Sequence, residues 1–352
     1  MARPCNGILT EKTVSLNMIR ETLNEREEIT MAKKVVLAGG GVLGVQIGLM
    51  SAYTGHDTTF WLRSEGSIGR TQPKIDHYEA AIFAELEEAK KLIGNPMAAY
   101  LYPRGLFESP ADLTAEKIDE AIAKAKKNFA ELIHIELDMG KAFADADFVI
   151  EAMSENLTAK EDLFKKMQAY LPEKTILLTN SSTLLPSVMA PFTGRPDRFC
   201  AMHFANSIWR QNTAEIMGEP ETAPEVYEAT VAFAKELNMI PLELKKEQPG
   251  YMLNSLLIPF LNAAGMLLGK GVSDSETIDK TWRLGTGAPK GPFEIFDIVG
   301  LDTAYNICRM QPEAQEEGAP LNVFVGILKE KIDKGEKGVG TGKGFYDYSQ
   351  NK

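Results

Sequence analysis

The run Gly39-Gly40-Gly41-Val42-Leu43-Gly44 constrains the fold of this chain more than any other feature. It follows a short apolar stretch at 35–38 and opens a helical pattern over 42–53. Strand, glycine turn and helix in that order begin a doubly wound α/β sheet. Counted on Gly39, Gly41 and Gly44, the run satisfies GxGxxG. The first glycine allows a tight turn, the second lets a pyrophosphate approach the backbone, and the third lets helix and strand pack closely. Val42 and Leu43 then sit at a helix start, where unpaired N–H groups meet phosphates. A dinucleotide is expected on Gly39, Gly41, Val42, Leu43 and Gly44.

Short apolar runs alternate with helical patterns as far as residue 247, which predicts βα units and a mostly parallel sheet. Strands are expected at 35–38, 58–62, 148–151, 175–179, 198–203, 214–217 and 240–244. Between the second and third, Ile75, Tyr78, Ile82, Leu86, Ala89 and Ile93 recur at helical spacing, as do Ile118, Ile122, Ala125, Phe129 and Leu132. The spacing predicts an insertion of two amphipathic helices packed antiparallel. After Pro249-Gly250 strand-like runs end, and helices are expected at 251–269, 273–284, 292–299, 302–310 and 320–334. The 352 residues, 44% of them hydrophobic, suffice for two cores. The expected architecture is α/β: a Rossmann-like domain with a helical insertion over 31–247, then an all-helical domain over 248–352. A polar extension, 1–30, with a helical stretch around 14–26, precedes Met31, read as a natural start.

A formal net charge of −11 argues against nucleic acid or an anionic membrane surface as partner. No run approaches about 18 consecutive apolar residues, and the N-terminus lacks the apolar block of a secretory signal. The expectation is a cytoplasmic protein. Cys5, Cys200 and Cys308 match neither a redox pair nor a zinc spacing, so reduced thiols and no metal are expected, with Cys200 buried in a strand.

A second strand in a dinucleotide site normally ends on a carboxylate that holds the adenosine ribose 2′-OH. Here Leu62 takes that place and Arg63-Ser64 follow. Nothing then repels a 2′-phosphate, while a guanidinium and a hydroxyl suit one. NADP(H) is favoured, with NAD(H) as the alternative.

His203 ends the predicted strand 198–203, at the edge where open α/β sheets bind ligands. Twelve residues on, Glu215 lies in the next strand-like run. An imidazole exchanges protons near neutrality, and a carboxylate behind it fixes its tautomer and stabilises its charged form. His56, His77 and His134 lack such a setting. Asn180-Ser181-Ser182-Thr183 follows another predicted strand, so its hydroxyls can hold a substrate oxygen or cap the next helix. Asn254 begins the helical domain.

Together these residues resemble the 3-hydroxyacyl-CoA dehydrogenase family, from about Lys34 to Tyr348. Glu151-Ala-Met-Ser-Glu155-Asn156-Leu157 looks like the family's loop at the nicotinamide side, with Lys160 at its lysine. Asn180-Ser-Ser182 resembles its Asn-Thr-Ser motif, and Pro249-Gly-Tyr-Met-Leu-Asn254 its Pro-Gly-Phe-x-x-Asn helix start. Gly287 to Asp297 and Gly342 to Tyr348 match its helical domain. The resemblance implies a catalytic set of His203, Glu215, Ser182 and Asn254. It puts Glu155 and Lys160 at the cofactor, and Ser182, Asn206 and Asn254 at an acyl-CoA substrate. A homodimer through the helical domain is also implied.

The chain departs from the family at several places. Ala205-Asn206-Ser207 and the bulkier, partly cationic Ile208-Trp209-Arg210 follow the histidine where Asn-Pro is usual. Ser255 replaces an arginine, Gln46 replaces a glycine, and the insertion is long. A CoA-free hydroxy acid or a bulkier 3-oxo compound is therefore the rival substrate. A non-catalytic nucleotide-binding protein is the rival class.

Overall fold

A computed structural model describes residues 32–349. The extension 1–30, its stretch at 14–26, Met31 and Cys5 lie outside the described residues. Strands β1 (Lys34–Ala38), β2 (Asp57–Trp61), β3 (Ile133–Glu136), β4 (Phe148–Glu151), β5 (Ile176–Thr179), β6 (Phe199–Phe204), β7 (Thr213–Met217) and β8 (Ile240–Leu244) form one sheet. Its order is β3-β2-β1-β4-β5-β6-β7-β8. Every neighbouring pair is parallel except β6 and β7.

The sequence reading of seven strands missed β3. Ile133-His-Ile-Glu136 alternates with the strand period, but it is only four residues long, follows the helix with no turn residue between them and forms a partly buried edge strand, so no strong apolar run marks it. His134, expected on or beside the insertion helices, sits on this strand 3.1 Å from the Asp57 carboxylate.

Helix α1 (Val42–Thr54) packs against the sheet so closely that a Cβ at Gly48 would stand 2.3 Å from the Phe60 ring. The insertion holds α2 (Glu65–Ala89), a single turn α3 (Ala98–Leu101) and α4 (Ala115–Leu132). Phe83 meets Phe129 at 5.8 Å between ring centroids, while Lys90 pairs with Asp119 at 2.9 Å. Rising numbers on one helix meet falling numbers on the other, so α2 and α4 run antiparallel. Ile93 falls outside α2 and is 45% exposed, a correction to the periodic reading. With α8 (Pro224–Glu236), these helices cover one sheet face around Phe60, Ile82 and Phe233. On the other face lie α5 (Met139–Phe143), α6 (Leu157–Met167) and α7 (Pro186–Thr193), with Phe143, Phe164 and Phe199 in their core. Cys200 is buried on β6.

The chain divides at Pro249, and Gly250 begins a second compact unit. That unit comprises α9 (Tyr251–Gly269), α10 (Ser275–Thr286), α11 (Pro292–Val299), α12 (Leu301–Cys308) and α13 (Pro320–Asp333). Phe293, Phe296, Leu301, Phe324 and Leu328 form its core. The buried Asp297 carboxylate accepts the backbone N–H groups of Phe345 and Tyr346 and the Tyr348 hydroxyl, which ties the last residues to the helices. With 19 residues, α9 is long and apolar enough to cross a membrane by length and composition, where the sequence reading found no such segment. Asn254, Ser255 and Asn262 interrupt its apolar run, which hid it from a search for unbroken apolar residues.

Candidate active site

The glycine turn fits a pyrophosphate. Gly39 takes a φ of +134°, and a Cβ there would lie 2.7 Å from the Ala152 carbonyl oxygen beyond β4, so no larger residue fits. Beside Gly41 the nearest protein atom to such a Cβ is 3.7 Å away, which leaves its ligand side open. Gly41 caps α1 without a side-chain hydrogen bond, so the first-turn N–H groups at Val42 and Leu43 are offered to phosphates. Leu62 is buried just past β2, and with Arg63 it lines a cleft of about 330 Å³ that the fingerprint glycines also border. Ser64 begins α2, its hydroxyl 3.2 Å from that of Ser67.

Groups suited to proton exchange meet at the far end of β6. Because β7 runs antiparallel, its register sets Glu215 directly opposite His203, and a slip of one residue would turn the carboxylate to the other face. His203 Nδ1 lies 3.0 Å from Glu215 Oε2, and both side chains are buried. A carboxylate there accepts the Nδ1 proton, which leaves the Nε2 lone pair facing outward. Ser182 Oγ is 3.0 Å from Nε2 and donates to it in this tautomer. Carboxylate, imidazole and hydroxyl thus form one line.

The serine is held by groups that sequence reasoning did not combine. Glu155 Oε1 accepts the Ser181 hydroxyl at 2.7 Å, the Ser182 N–H at 2.6 Å and the Thr183 N–H at 2.8 Å. Burial opposes the Glu155 charge, but the Ser181 hydroxyl, the Lys160 ammonium and these N–H groups outweigh it and hold the carboxyl below its ordinary range. Lys160 Nζ is 3.3 Å from Glu155 and 2.6 Å from Glu151, which also accepts the Thr179 hydroxyl at 2.7 Å. Asn180 Oδ1 accepts the Phe204 N–H at 3.1 Å and so ties the serine turn to the end of β6. The resemblance gave Glu155 and Lys160 as cofactor contacts; in the structure Lys160 also pairs with Glu151 and Glu155, and Glu155 also holds this turn. A buried lysine nine residues after a strand-end glutamate was the available signal.

Two family models match the chain: the 3-hydroxyacyl-CoA dehydrogenase NAD binding domain over residues 34–248, and the C-terminal domain of the same enzymes over 250–348. The chain belongs to the 3-hydroxyacyl-CoA dehydrogenase family. It is an oxidoreductase with a nicotinamide cofactor. Human mitochondrial hydroxyacyl-coenzyme A dehydrogenase is 31% identical over 318 residues, covering 90% of this chain and 92% of the human protein. A solved diketoreductase is 42% identical, with a TM-score of 0.73 over 91% of this chain and 100% of the other. The (S)-3-hydroxybutyryl-CoA dehydrogenase of Ralstonia eutropha is 25% identical, with a TM-score of 0.65 over 90% of this chain and 99% of its own.

The departures from the family pattern have structural causes. Ile208 and Trp209 are buried in the sheet core, where the Trp209 carbonyl receives the Gly105 N–H of the insertion. Arg210, read as a cationic feature beside the histidine, is instead clamped bidentately by Glu85 of α2. Gln46 is almost wholly buried, and its Oε1 accepts the Ser207 N–H at 2.8 Å, which anchors the turn after β6. Asn206 is exposed on that turn. Asn254 and Ser255 belong to the first turns of α9 in the second unit.

Proposed function

We propose that this enzyme interconverts a 3-hydroxyacyl-CoA and a 3-oxoacyl-CoA with NADP(H), and that His203 and Glu215 form its general acid–base pair. The line from Ser182 through His203 to Glu215 carries this reading. A bound nicotinamide supplies the two-electron exchange at the carbinol carbon. In oxidation His203 Nε2 takes the hydroxyl proton, while Glu215 stabilises the imidazolium through Nδ1. In reduction the same Nε2–H returns the proton to the developing alkoxide. Ser182 Oγ marks the place of the substrate oxygen, and the resemblance assigns Asn254 to that oxygen and Asn206 to the substrate. Glu155 and Lys160 border the nicotinamide side and keep the serine turn in place.

The NADP(H) preference is supported by the buried Leu62 at the acid position and by Arg63 and Ser64 beside it. Turnover of acetoacetyl-CoA should proceed with a kcat/KM for NADPH at least about tenfold above that for NADH. Failure to turn over any acyl-CoA with either nicotinamide would overturn the substrate reading.

A second reading is a CoA-free dicarbonyl substrate. It is favoured by the 42% identity to the diketoreductase, and by the closing of the post-histidine stretch onto Glu85 and Gly105. A 3,5-dioxo ester turned over with higher kcat/KM than acetoacetyl-CoA would select it. The helical unit is further proposed to pair with a second copy through Met252, Leu253, Leu256 and Leu267, which α9 leaves exposed.

A further inference from the structure

We infer that the 2′-phosphate of the cofactor is read by a basic face of α2, with Arg70 and Lys74 joining Arg63 as its counter-charges. The inference rests on the NADP(H) reading and adds the residues that make it work. Arg63, Ser67, Arg70 and Lys74 line the same cleft as Gly40 and Gly41, and among the described residues no carboxylate lines it. Arg70 and Lys74 are four residues apart on one helix, so they share a face.

The position of that face is fixed by packing. A Cβ at Gly40 would stand 2.0 Å from Thr71 Oγ1, and the Thr71 hydroxyl donates to the Gly40 carbonyl at 3.3 Å. Helix α2 is thereby seated on the fingerprint turn, and the residues flanking Thr71 are carried to the adenosine end of the cleft. The Arg70 guanidinium is already oriented, because Nη2 donates to Ser67 Oγ at 3.0 Å. Lys74 Nζ donates to the Arg70 carbonyl, which keeps its ammonium at the same turn.

Charge distribution supports the same conclusion. Residues 63–74 carry three cations against one carboxylate, Glu65, in a chain of net charge −11. A solvated helix face of so acidic a protein gives no reason for that local excess. A phosphate monoester carries about −1.5 to −2 charges at neutral pH, and a single exposed arginine neutralises it poorly. Three donors spread over one helical turn and the preceding strand end can surround it.

The test uses the full chain and two probes, adenosine 2′,5′-bisphosphate and 5′-AMP, titrated calorimetrically. The bisphosphate should bind about tenfold or more tightly than 5′-AMP, and the ratio should shrink as salt rises, since exposed charge pairs are screened. Arg70→Gln and Lys74→Gln should each cut the ratio several-fold, the double variant should nearly abolish it, and Arg70→Lys should restore part of it. Thermal melts of the variants separate misfolding from lost recognition. An unchanged ratio in the double variant, or an equal loss for both probes, overturns the assignment to α2 while leaving an NADP(H) preference intact. Equal affinity of the unaltered protein for the two probes overturns the NADP(H) reading as well. Neither result touches the acid–base assignment, which is read from His203.

Discussion

Replacing Lys160 by Met tests how the serine turn is held. Lys160 is 1% exposed and Glu151 is 0% exposed, so the substitution leaves a fully desolvated carboxylate without its counter-charge. Breaking a buried pair in this way costs about 3–5 kcal/mol. Glu151 keeps the Thr179 hydroxyl and the Met153 N–H, both at 2.7 Å, which argues for the lower end, about 3 kcal/mol. For a domain of this size, each kcal/mol lowers Tm by about 2–4 °C, giving a fall of about 6–12 °C. Calorimetric and urea-induced unfolding of Lys160→Met measure it, and adding Glu151→Gln should recover part of the loss by removing the stranded charge. Turnover should fall too, because Glu155 loses its ammonium and the Ser182 turn loosens. A loss below about 1 kcal/mol, or a double variant no more stable than the single one, would refute the reasoning.

Further predictions concern chemistry, cofactor choice, pH and assembly. His203→Gln should lose about 10²–10⁴ in turnover and Glu215→Gln much of it, with cofactor affinity near normal by fluorescence titration; retention of more than about a tenth by His203→Gln would refute the acid–base assignment. Leu62→Asp combined with Arg63→Gln should reverse the NADPH preference in steady-state kinetics. Burial first, and then the Lys33 charge, push His56 from 6.5 down to about 4, so the unfolded chain takes up a proton there before the folded one does. Its stabilising contribution is therefore complete above 6.5 and is lost as pH falls toward 4, by up to about 3 kcal/mol, and urea melts of His56→Gln across this range should show a flatter slope. Leu256, 75% exposed on α9, should support a dimer, so light scattering should give twice the chain mass for the parent and a smaller species for Leu256→Asp.

The parts of this molecule that depend on local pattern could be read from its residues. The glycine turn announces itself because only glycine tolerates both the φ at Gly39 and the approach of Ala152. The distance from His203 to Glu215 was legible as a spacing, but not the reversal of β7 that converts the spacing into a cross-strand pair. The resemblance put Glu155 at the cofactor, but its bonds to 181–183 went unread because they join segments that are remote in sequence. The pairing of Arg210 was hidden for the same reason, since its partner Glu85 lies 125 residues away. The basic face of α2 went unread because Arg70 and Lys74 matter only once Thr71 is packed on Gly40. Strand β3 was lost because its four alternating residues follow the preceding helix without a turn between them.

The reversal of β7 also separates two things that evolution can change. His203 and Glu215 are fixed by a ladder of backbone bonds, whereas residues 205–212 between their strands form a loop anchored by Gln46, Gly105 and Glu85. Such a connection can be lengthened, shortened or recomposed without altering the distance between imidazole and carboxylate. The His203–Glu215 pair then acts as an inherited constant and the loop as the variable written around it. Relatives that share the pair can diverge in the molecules they admit, and the first residues to compare when asking what each one accepts are those of this loop and its three anchors.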